Sequence, residues 1–328
     1  LALKAMALWI AATPLYNGST LKGDTRNYAS VYQSYDPARW DAAAAAAKAV
    51  MDFEAEGQKR YSLYQGSPKS QTTDSGGTDQ SNGAVYSRLW ELFHRTMNDA
   101  KKAEWIFFHL HCKTVGYHND MYPPSAQGQA REVPVQDQVD EYEVIGPDGY
   151  GYPIYALKQN HKALYGSLIS EQDMAKAYDD GNPYVNRDPR FYRDIIYHGS
   201  MFKGKWINTA TGADAINAAN STSTGYFTRK YFDGYYTKGM SGNWNFDAPL
   251  IRLATIYLVY AEAVTRSKGA TPEVYNLMNE LRARSFMAPI PPAAQTNKEL
   301  LLDYILRERR VEPVSYTHLR AHETRRHL

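Results

Sequence analysis

Four carboxylates in the C-terminal part of the chain have the chemistry of a glycosidase acid–base pair. They are Glu262, Asp303, Glu308 and Glu312. Glycoside hydrolysis requires two carboxylates about 5–10 Å apart across a cleft. Glu308 and Glu312 instead lie one helical turn apart and alternate with arginines, which is the spacing of ion pairs on a helix surface. The pattern predicts surface ion pairing, and we expect that the chain is not an enzyme.

The segment HLHC, residues 109–112, contains residue types that bind metals. On a strand, His109 and His111 would share a face while Cys112 would point away from it. No second group of ligands in the sequence completes a site, and a single cysteine excludes a site built from several cysteines. We therefore predict neither a metal site nor a cofactor.

The segment NRDPRFY, residues 186–192, places Arg187, Asp188 and Arg190 close together and could suggest an acid–base cluster. Asp followed by Pro is more typical of the start of a turn. A carboxylate partner for Arg190 would fix such a turn through charge-assisted hydrogen bonds. The sequence favours this structural role.

Aromatic residues are the most informative group in the chain, with 27 Tyr and 6 Trp against 10 Phe. A flat ring can cover the C–H face of a sugar without any charge, while neighbouring polar groups bond to the hydroxyls. Many of these rings fall in the irregular region between residues 113 and 242. The candidate glycan-binding residues are Trp206, Asn208, Tyr150, Tyr152, Tyr184 and Trp244. The alternative is that the rings pin a long loop to a scaffold.

The composition is that of a folded protein, with 43% hydrophobic and 22% charged residues in 328. The net charge is +2, and residues 313–328 alone carry three Arg and one Glu. No basic stripe recurs along a helix face, so nucleic acid is not an expected partner. No run of about 18 apolar residues exists, so the sequence offers no membrane-spanning helix.

Helical patterns occupy both ends of the chain. A helix over 2–12 ends before Pro14, and a second begins at Pro37 with Trp40, Ala44 and Ala47 on one face. Near the other end, we expect a helix over 248–267, one beginning at Pro272, and one capped by Asn297 that runs to about Val311. On the first of these, one apolar stripe contains Leu250, Leu253, Ala254, Tyr257, Leu258, Ala261 and Val264. The stripe predicts that Leu253, Tyr257, Leu258 and Ala261 are buried.

The middle of the chain is predicted to be mostly irregular. Residues 65–84 indicate an exposed loop, 86–97 a helix, and 105–109 a strand. Within 113–242 we expect short helices at 135–143 and 171–178, and short strands at 191–197 and 225–231. An irregular stretch of this length is usually functional.

Several segments together resemble the SusD/RagB family. The segments that carry the resemblance are ALKAMALWIAATPLYNG (2–18), DPARWDAAAAAAKAVMD (36–52), VPVQDQVDEYEV (133–144), NPYVNRDPRFYRDIIYHG (182–199), APLIRLATIYLVYAEA (248–263) and LRERRVE (306–312). They occur in the family's order along the chain.

The resemblance implies a mainly α fold, a SusD-like scaffold of tetratricopeptide-like helix pairs with a long loop-rich excursion that contains short strands. We expect one domain over 1–312, helical over 1–64 and 248–312, with the ligand region over 113–242. Residues 313–328 resemble a translated sequencing linker, and we expect them to make no ordered contact. The sequence is expected to be a fragment of a longer protein, without its signal peptide and lipidated cysteine.

The resemblance also implies a function. Family members capture glycans as lipid-anchored proteins on the outer face of the outer membrane and deliver them to a SusC-like TonB-dependent transporter for nutrient uptake. Two alternatives from other classes remain: a helical-repeat scaffold that binds only protein, and a secreted glycosidase.

Overall fold

The computed structural model of the chain describes residues 1–18, 32, 34–65, 103–113, 120–158, 161–230 and 245–312. The helices in these ranges are α1 (Ala2–Ala12), α2 (Ala38–Met51), α3 (Gln136–Asp140), α4 (Lys162–Tyr165), α5 (Glu171–Ala177), α6 (Pro189–Asp194), α7 (Leu253–Lys268), α8 (Pro272–Ala283) and α9 (Lys298–Val311). The predicted loop over 65–84 (all but its first residue), helix over 86–97 and unstructured tail over 313–328 lie outside the described residues.

The strands in these ranges are short, with two exceptions. They are β1 (Glu54–Ala55), β2 (Gln58–Lys59), β3 (Trp105–Lys113), β4 (Val144–Ile145), β5 (Gly151–Tyr152), β6 (Ile195–Ile196), β7 (Met201–Phe202), β8 (Lys205–Trp206), β9 (Phe227–Thr228) and β10 (Asn245–Arg252). All form antiparallel pairs: β1 with β2, β3 with β10, β4 with β5, β6 with β9, and β7 with β8. The predicted mainly α fold with short strands in a loop-rich excursion is confirmed.

Helix α7 lies at the centre of the helical scaffold and contacts α1, α2, α8 and α9. Leu253, Leu258 and Ala261 are buried as predicted, whereas Tyr257 is only half-buried. The buried face of α2 carries Ala43 and Ala47, and these small side chains let α1 and α7 approach it closely. The main hydrophobic core therefore sits between the helix pairs from the two ends of the chain.

Local capping chemistry explains where the C-terminal helices begin and end. Gly269 ends α7 with a φ of 88°, a conformation that glycine adopts without a Cβ clash. Thr271 accepts a hydrogen bond from the backbone N–H of Val274 at the start of α8. The Asn297 side chain accepts one from the N–H of Leu300 at the start of α9. These boundaries match the sequence prediction.

The prediction that a helix begins near residue 248 is wrong, because residues 245–252 form strand β10. Pro249 has no N–H to donate, and the residue before a proline is biased toward extended backbone. The strand pairs with β3, which is longer than the predicted 105–109. Leu250, predicted to lie on the apolar stripe, is consequently 38% exposed.

The predicted strand over 191–197 is also mostly wrong. The Asp188 side chain accepts a hydrogen bond from the N–H of Arg190, and Pro189 occupies the first helical position, so α6 forms instead. Only Ile195 and Ile196 are extended, and they pair with β9 inside the predicted 225–231 strand. The predicted short helices are confirmed as α3 and α5.

A buried network of ion pairs joins this excursion to the helical scaffold. The guanidinium of Arg190 lies 2.7 Å from the carboxylate of Asp188 and also pairs with Glu308 on α9. Glu308 in turn lies 3.4 Å from Arg282 on α8. Glu143, which precedes β4, lies 2.6 Å from Arg282 and 2.8 Å from Arg307. The segment before β4, the start of α6 and the helices α8 and α9 are thus joined in one buried cluster of ion pairs.

A second group of ion pairs ties the β3–β10 ribbon to the ends of α8 and α9. Glu104 lies 2.8 Å from Arg252 and 2.7 Å from Arg284. Glu312 pairs with the same two arginines, and its carbonyl oxygen accepts a hydrogen bond of 2.7 Å from Lys230. Ion pairing by Glu308 and Glu312 is confirmed, but the expected surface location is wrong: each is 1% exposed.

Two leucines of the predicted apolar stripe, Leu258 and Leu250, differ in burial, so their replacement by alanine should affect stability unequally. Leu258→Ala should lower the free energy of unfolding by about 2–5 kcal/mol, because a 2% exposed side chain leaves a cavity. Leu250→Ala, at an exposed position on β10, is the matched control and should cost less than about 1 kcal/mol. Urea denaturation of both variants checks this, and equal losses would contradict the packing.

The network predicts an acid-dependent loss of stability. Burial alone would raise the pKa of Glu143, but Arg282 and Arg307 outweigh it and hold the pKa at about 2 rather than 4.5. A carboxyl whose pKa is depressed by folding stabilises the protein above its unfolded pKa, and that contribution is lost as the pH falls from 4.5 toward 2.

Glu143→Gln should therefore cost about 3–5 kcal/mol near neutral pH, since it leaves two buried arginines undercompensated, and should flatten the acid limb of the stability profile. Glu171→Gln, which removes an exposed pair with Lys162, should cost less than about 1 kcal/mol. Chemical denaturation across the pH range measures both. If Glu143→Gln loses stability toward low pH as steeply as the unmodified protein does, the ion pairs of Glu143 with Arg282 and Arg307 do not cause the acid-dependent loss of stability.

Candidate functional site

Strands β7 and β8 form a tight hairpin that presents Trp206. Met201 pairs with Trp206, and Phe202 pairs with Lys205. The turn residues Lys203 and Gly204 have φ values of 50° and 73°, and positive φ at both turn positions suits the twist of a two-residue hairpin loop. The sequence signal is a Lys-Gly turn between the two short segments MF and KW.

The aromatic rings on the two faces of this hairpin differ sharply in burial. Trp206 is 70% exposed, whereas Phe202 and Ile207 are fully buried. Successive strand residues point to opposite faces, so Trp206 and Met201 share the outer face. The inner face packs on Tyr122, whose ring meets that of Phe202 edge-on at 5.2 Å between centroids. The hairpin is therefore anchored from behind while the indole stays open to solvent.

Backbone hydrogen bonds continue the hairpin beyond its two strands. The N–H of Gly199 donates to the carbonyl of Ile207, and the N–H of Ile207 donates to that of Ser200, both at 2.9 Å. His198 Nδ1 accepts from the N–H of Thr209 at 3.1 Å. These contacts fix the position of Trp206 relative to β6 and to the loop that follows residue 207.

Asn208 shapes that loop with its own side chain. Its amide oxygen accepts from the N–H groups of Ala210 and Thr211 at 2.9 and 3.0 Å, and its amide nitrogen donates to the Thr211 hydroxyl at 2.9 Å. Asparagine commonly stabilises turns in this way. Both polar atoms of the side chain are thus engaged within the protein.

Three other candidates, Tyr150, Tyr152 and Tyr184, pack against core clusters different from the one beneath the hairpin. Tyr152 is 1% exposed in the main core and donates a 2.6 Å hydrogen bond to Asp148; burial, then this bond, raise the pKa of its hydroxyl. Tyr150 is half-buried against the same core. Tyr184 is half-buried and packs at 4.5 Å from the ring of Tyr197. Trp244 lies outside the described residues.

Met201 is the residue at this site that sequence reasoning missed. It lies directly opposite Trp206 in the hairpin, where facing side chains have Cβ atoms about 4.5–5.5 Å apart. Finding it required the register of the two strands, because a methionine carries no motif of its own.

The carboxylates with glycosidase chemistry are all engaged by cations. Glu262 accepts a 3.0 Å hydrogen bond from the indole N–H of Trp9 and pairs with Arg266 at 2.8 Å and with Arg309. Asp303 pairs with Arg307 and accepts a hydrogen bond from Tyr165. With Glu308 and Glu312 buried in ion pairs, these four groups hold the scaffold together rather than face one another across a cleft.

Arg190 has the structural role predicted for it, because it fixes the start of α6 through Asp188. Within the described ranges, no group of three or more His, Cys, Asp or Glu side chains could hold a metal ion. The same residues contain no helix long and apolar enough to cross a membrane.

Comparison with known proteins gives a clear family match. The sequence profile of the SusD family matches residues 47–314. No curated protein compared with the chain matches it.

Solved structures share the fold. BT4246, solved in its selenomethionine form, superposes with a TM-score of 0.66 at 20% identity, covering 95% of this chain and 59% of its own. The SusD-like carbohydrate-binding protein BF0978 from Bacteroides fragilis gives 0.56 at 18% identity, covering 97% of this chain and 56% of its own. The SusD-like protein BF3747 from the same species gives 0.53 at 19% identity, covering 98% and 66%. The chain thus spans about three fifths of the length of these proteins.

The turn geometry at Asn208 predicts that substitutions there act mainly on stability. Asn208→Ala should lower the free energy of unfolding by about 0.5–1.5 kcal/mol, because it removes the acceptor of two backbone N–H groups. Asn208→Asp keeps that acceptor and should recover most of the loss. Thermal and urea unfolding of the two variants provide the test, and identical behaviour of both would contradict the assigned role.

Proposed function

The chain belongs to the SusD family, and we propose from this that it binds an oligosaccharide or polysaccharide at the cell surface. In this proposal it is a lipid-anchored protein of the outer membrane that delivers the glycan to a SusC-like TonB-dependent transporter for nutrient uptake. The observation that carries the glycan-binding part is the exposed indole of Trp206 on its anchored hairpin.

An exposed tryptophan on a fixed support is suited to sugar binding for two reasons. Its face offers apolar area that a pyranose ring can cover, worth about 0.5–1.5 kcal/mol beyond area burial if aromatic pairs are a guide. Its orientation is already set by the hairpin, so little ordering cost is added when the ligand arrives. Of the six candidate residues, Trp206 has this combination within the described part of the chain.

The family's solved members support the same function. BF0978, which shares this fold, is a SusD-like carbohydrate-binding protein. A binding role also agrees with the state of the four candidate carboxylates, since each is neutralised by buried or partly buried arginines and none is left to donate or accept a proton at a glycosidic bond. We therefore propose binding without cleavage.

The two alternative functions predict different behaviour toward a polysaccharide. A scaffold that binds only protein requires no sugar affinity, and a glycosidase would release new reducing ends. The proposal instead requires weak, reversible affinity on the order of 10 μM to 1 mM per site, because a sugar offers little apolar area.

Affinity electrophoresis against a panel of polysaccharides tests the proposal. At least one polysaccharide should retard the protein, and Trp206→Ala should weaken that binding several-fold while leaving the unfolding midpoint unchanged. The matched control is Phe107→Ala, which removes an exposed aromatic ring on β3, about a hundred residues before Trp206. This variant should bind like the unmodified protein.

Two results would contradict the proposal. Release of reducing ends on prolonged incubation would indicate an enzyme. If the polysaccharide that retards the unmodified protein retards Trp206→Ala to the same extent, Trp206 does not contribute to binding.

A further inference from the structure

The segment that carries Trp206 is poor in charge. Residues 197–226 contain only three charged side chains besides His198: Lys203, Lys205 and Asp214. Two of these, Lys203 and Lys205, lie close to Trp206 in the sequence, and a lysine directed toward the indole face could attract an anionic sugar. Where those charges are directed therefore decides which class of glycan the surface accepts.

Both lysines are engaged behind the hairpin. Lys205 alternates with Trp206 along β8 and so belongs to the opposite face, and its ammonium donates to the carbonyl oxygen of Ser125 at 2.9 Å. The ammonium of Lys203 lies 4.7 Å from the ring centroid of Tyr122, within the range of a cation–π contact. Tyr122 is itself buried under the inner face of the hairpin.

The acidic residue is engaged at the same place. Asp214 is 4% exposed, and its carboxylate accepts a 2.8 Å hydrogen bond from the N–H of Ser125. All three charged side chains thus converge on residues 122–125 behind the hairpin. His198 is exposed, and its Nδ1 accepts a hydrogen bond from the N–H of Thr209.

Among the described residues of segment 197–226, the outer face carries no charged side chain. Met201 lies beside Trp206 on that face. The exposed residues of the following loop are uncharged: Asn208, Ala210, Thr211, Gly212, Ala213, Ile216, Asn217, Ala219, Asn220 and Ser223. A carboxylate or sulfate brought onto this face would lose hydration without gaining a counter-charge, which is unfavourable.

We infer that the Trp206 face takes a neutral stretch of glycan, built from uncharged sugars, rather than a uronic acid or sulfated chain. The inference rests on the proposed function and adds the class of its ligand. Affinity should come from ring stacking and hydroxyl hydrogen bonds, and should therefore be nearly independent of salt.

Affinity electrophoresis with two sets of named probes tests the inference. Starch, pullulan, galactomannan and arabinoxylan are the neutral set, and polygalacturonate, alginate and chondroitin sulfate are the acidic set. At least one neutral polysaccharide should retard the protein, with a loss of at least about fivefold in affinity for Trp206→Ala. A Lys203→Gln/Lys205→Gln variant should stay within about twofold, as should binding between about 0.05 and 0.5 M NaCl.

The outcomes separate the inference from the proposed function. Retardation by acidic polysaccharides alone, abolished by the double lysine variant or by salt, would overturn the neutral-ligand inference and leave glycan binding standing. Retardation by neither set would overturn both. Because Lys205 also pins the hairpin, Lys205→Arg serves as a second variant that keeps a donor, and it too should bind the neutral probe normally. If folded Lys205→Arg fails to bind a neutral polysaccharide that the unmodified protein binds, the inference that the lysines take no part in ligand binding is contradicted.

Discussion

The pairing of buried arginines with the carboxylates of α9 is the interaction on which the rest of the structure depends. Glu308 and Glu312 lie one turn apart, and through Arg190, Arg282 and Arg252 they connect the excursion, the helical scaffold and the β3–β10 ribbon. Each buried charge is costly unless all its partners are in place. The network therefore forms only when these three parts of the chain meet in one arrangement, and this makes it a device for specifying position.

That arrangement is connected to the proposed glycan-binding surface through a short segment of chain. Arg190 belongs to α6, which leads directly into β6 and then into the hairpin that carries Trp206. In the described part of the loop-rich excursion, strands β6, β7 and β8 are each two residues long. Ion pairs at one end and the core cluster that contains Tyr122 and Phe202 beneath the hairpin hold this part in place. A surface that binds by stacking requires such a fixed ring.

The sequence predicted those features that depend on neighbours along the chain. Pro272 at the start of α8, the cap at Asn297 and the apolar stripe of α7 are local patterns, and they predicted these three helices. The start of α7 was missed because Pro249 gives only a weak local signal for extended backbone, and the strand is completed by pairing with β3, over a hundred residues earlier. The burial of Glu308 was missed for a similar reason: its i, i+4 spacing to Glu312 is identical whether that helix face meets solvent or distant arginines. At the proposed site, Trp206 was chosen as a candidate from its residue type, but the core position of Tyr152 and the place of Met201 opposite Trp206 required the fold.

The role of Trp206 is tested most directly by observing its indole N–H during ligand binding. In a 1H–15N spectrum, the Trp206 signal is assigned by its loss in Trp206→Phe, and the retained glycan is then titrated as soluble oligomers. The account predicts that this signal shifts progressively and saturates, while that of the buried Trp9, whose N–H is bonded to Glu262, stays in place. Saturable binding of the oligomers with an unmoved Trp206 signal would contradict it.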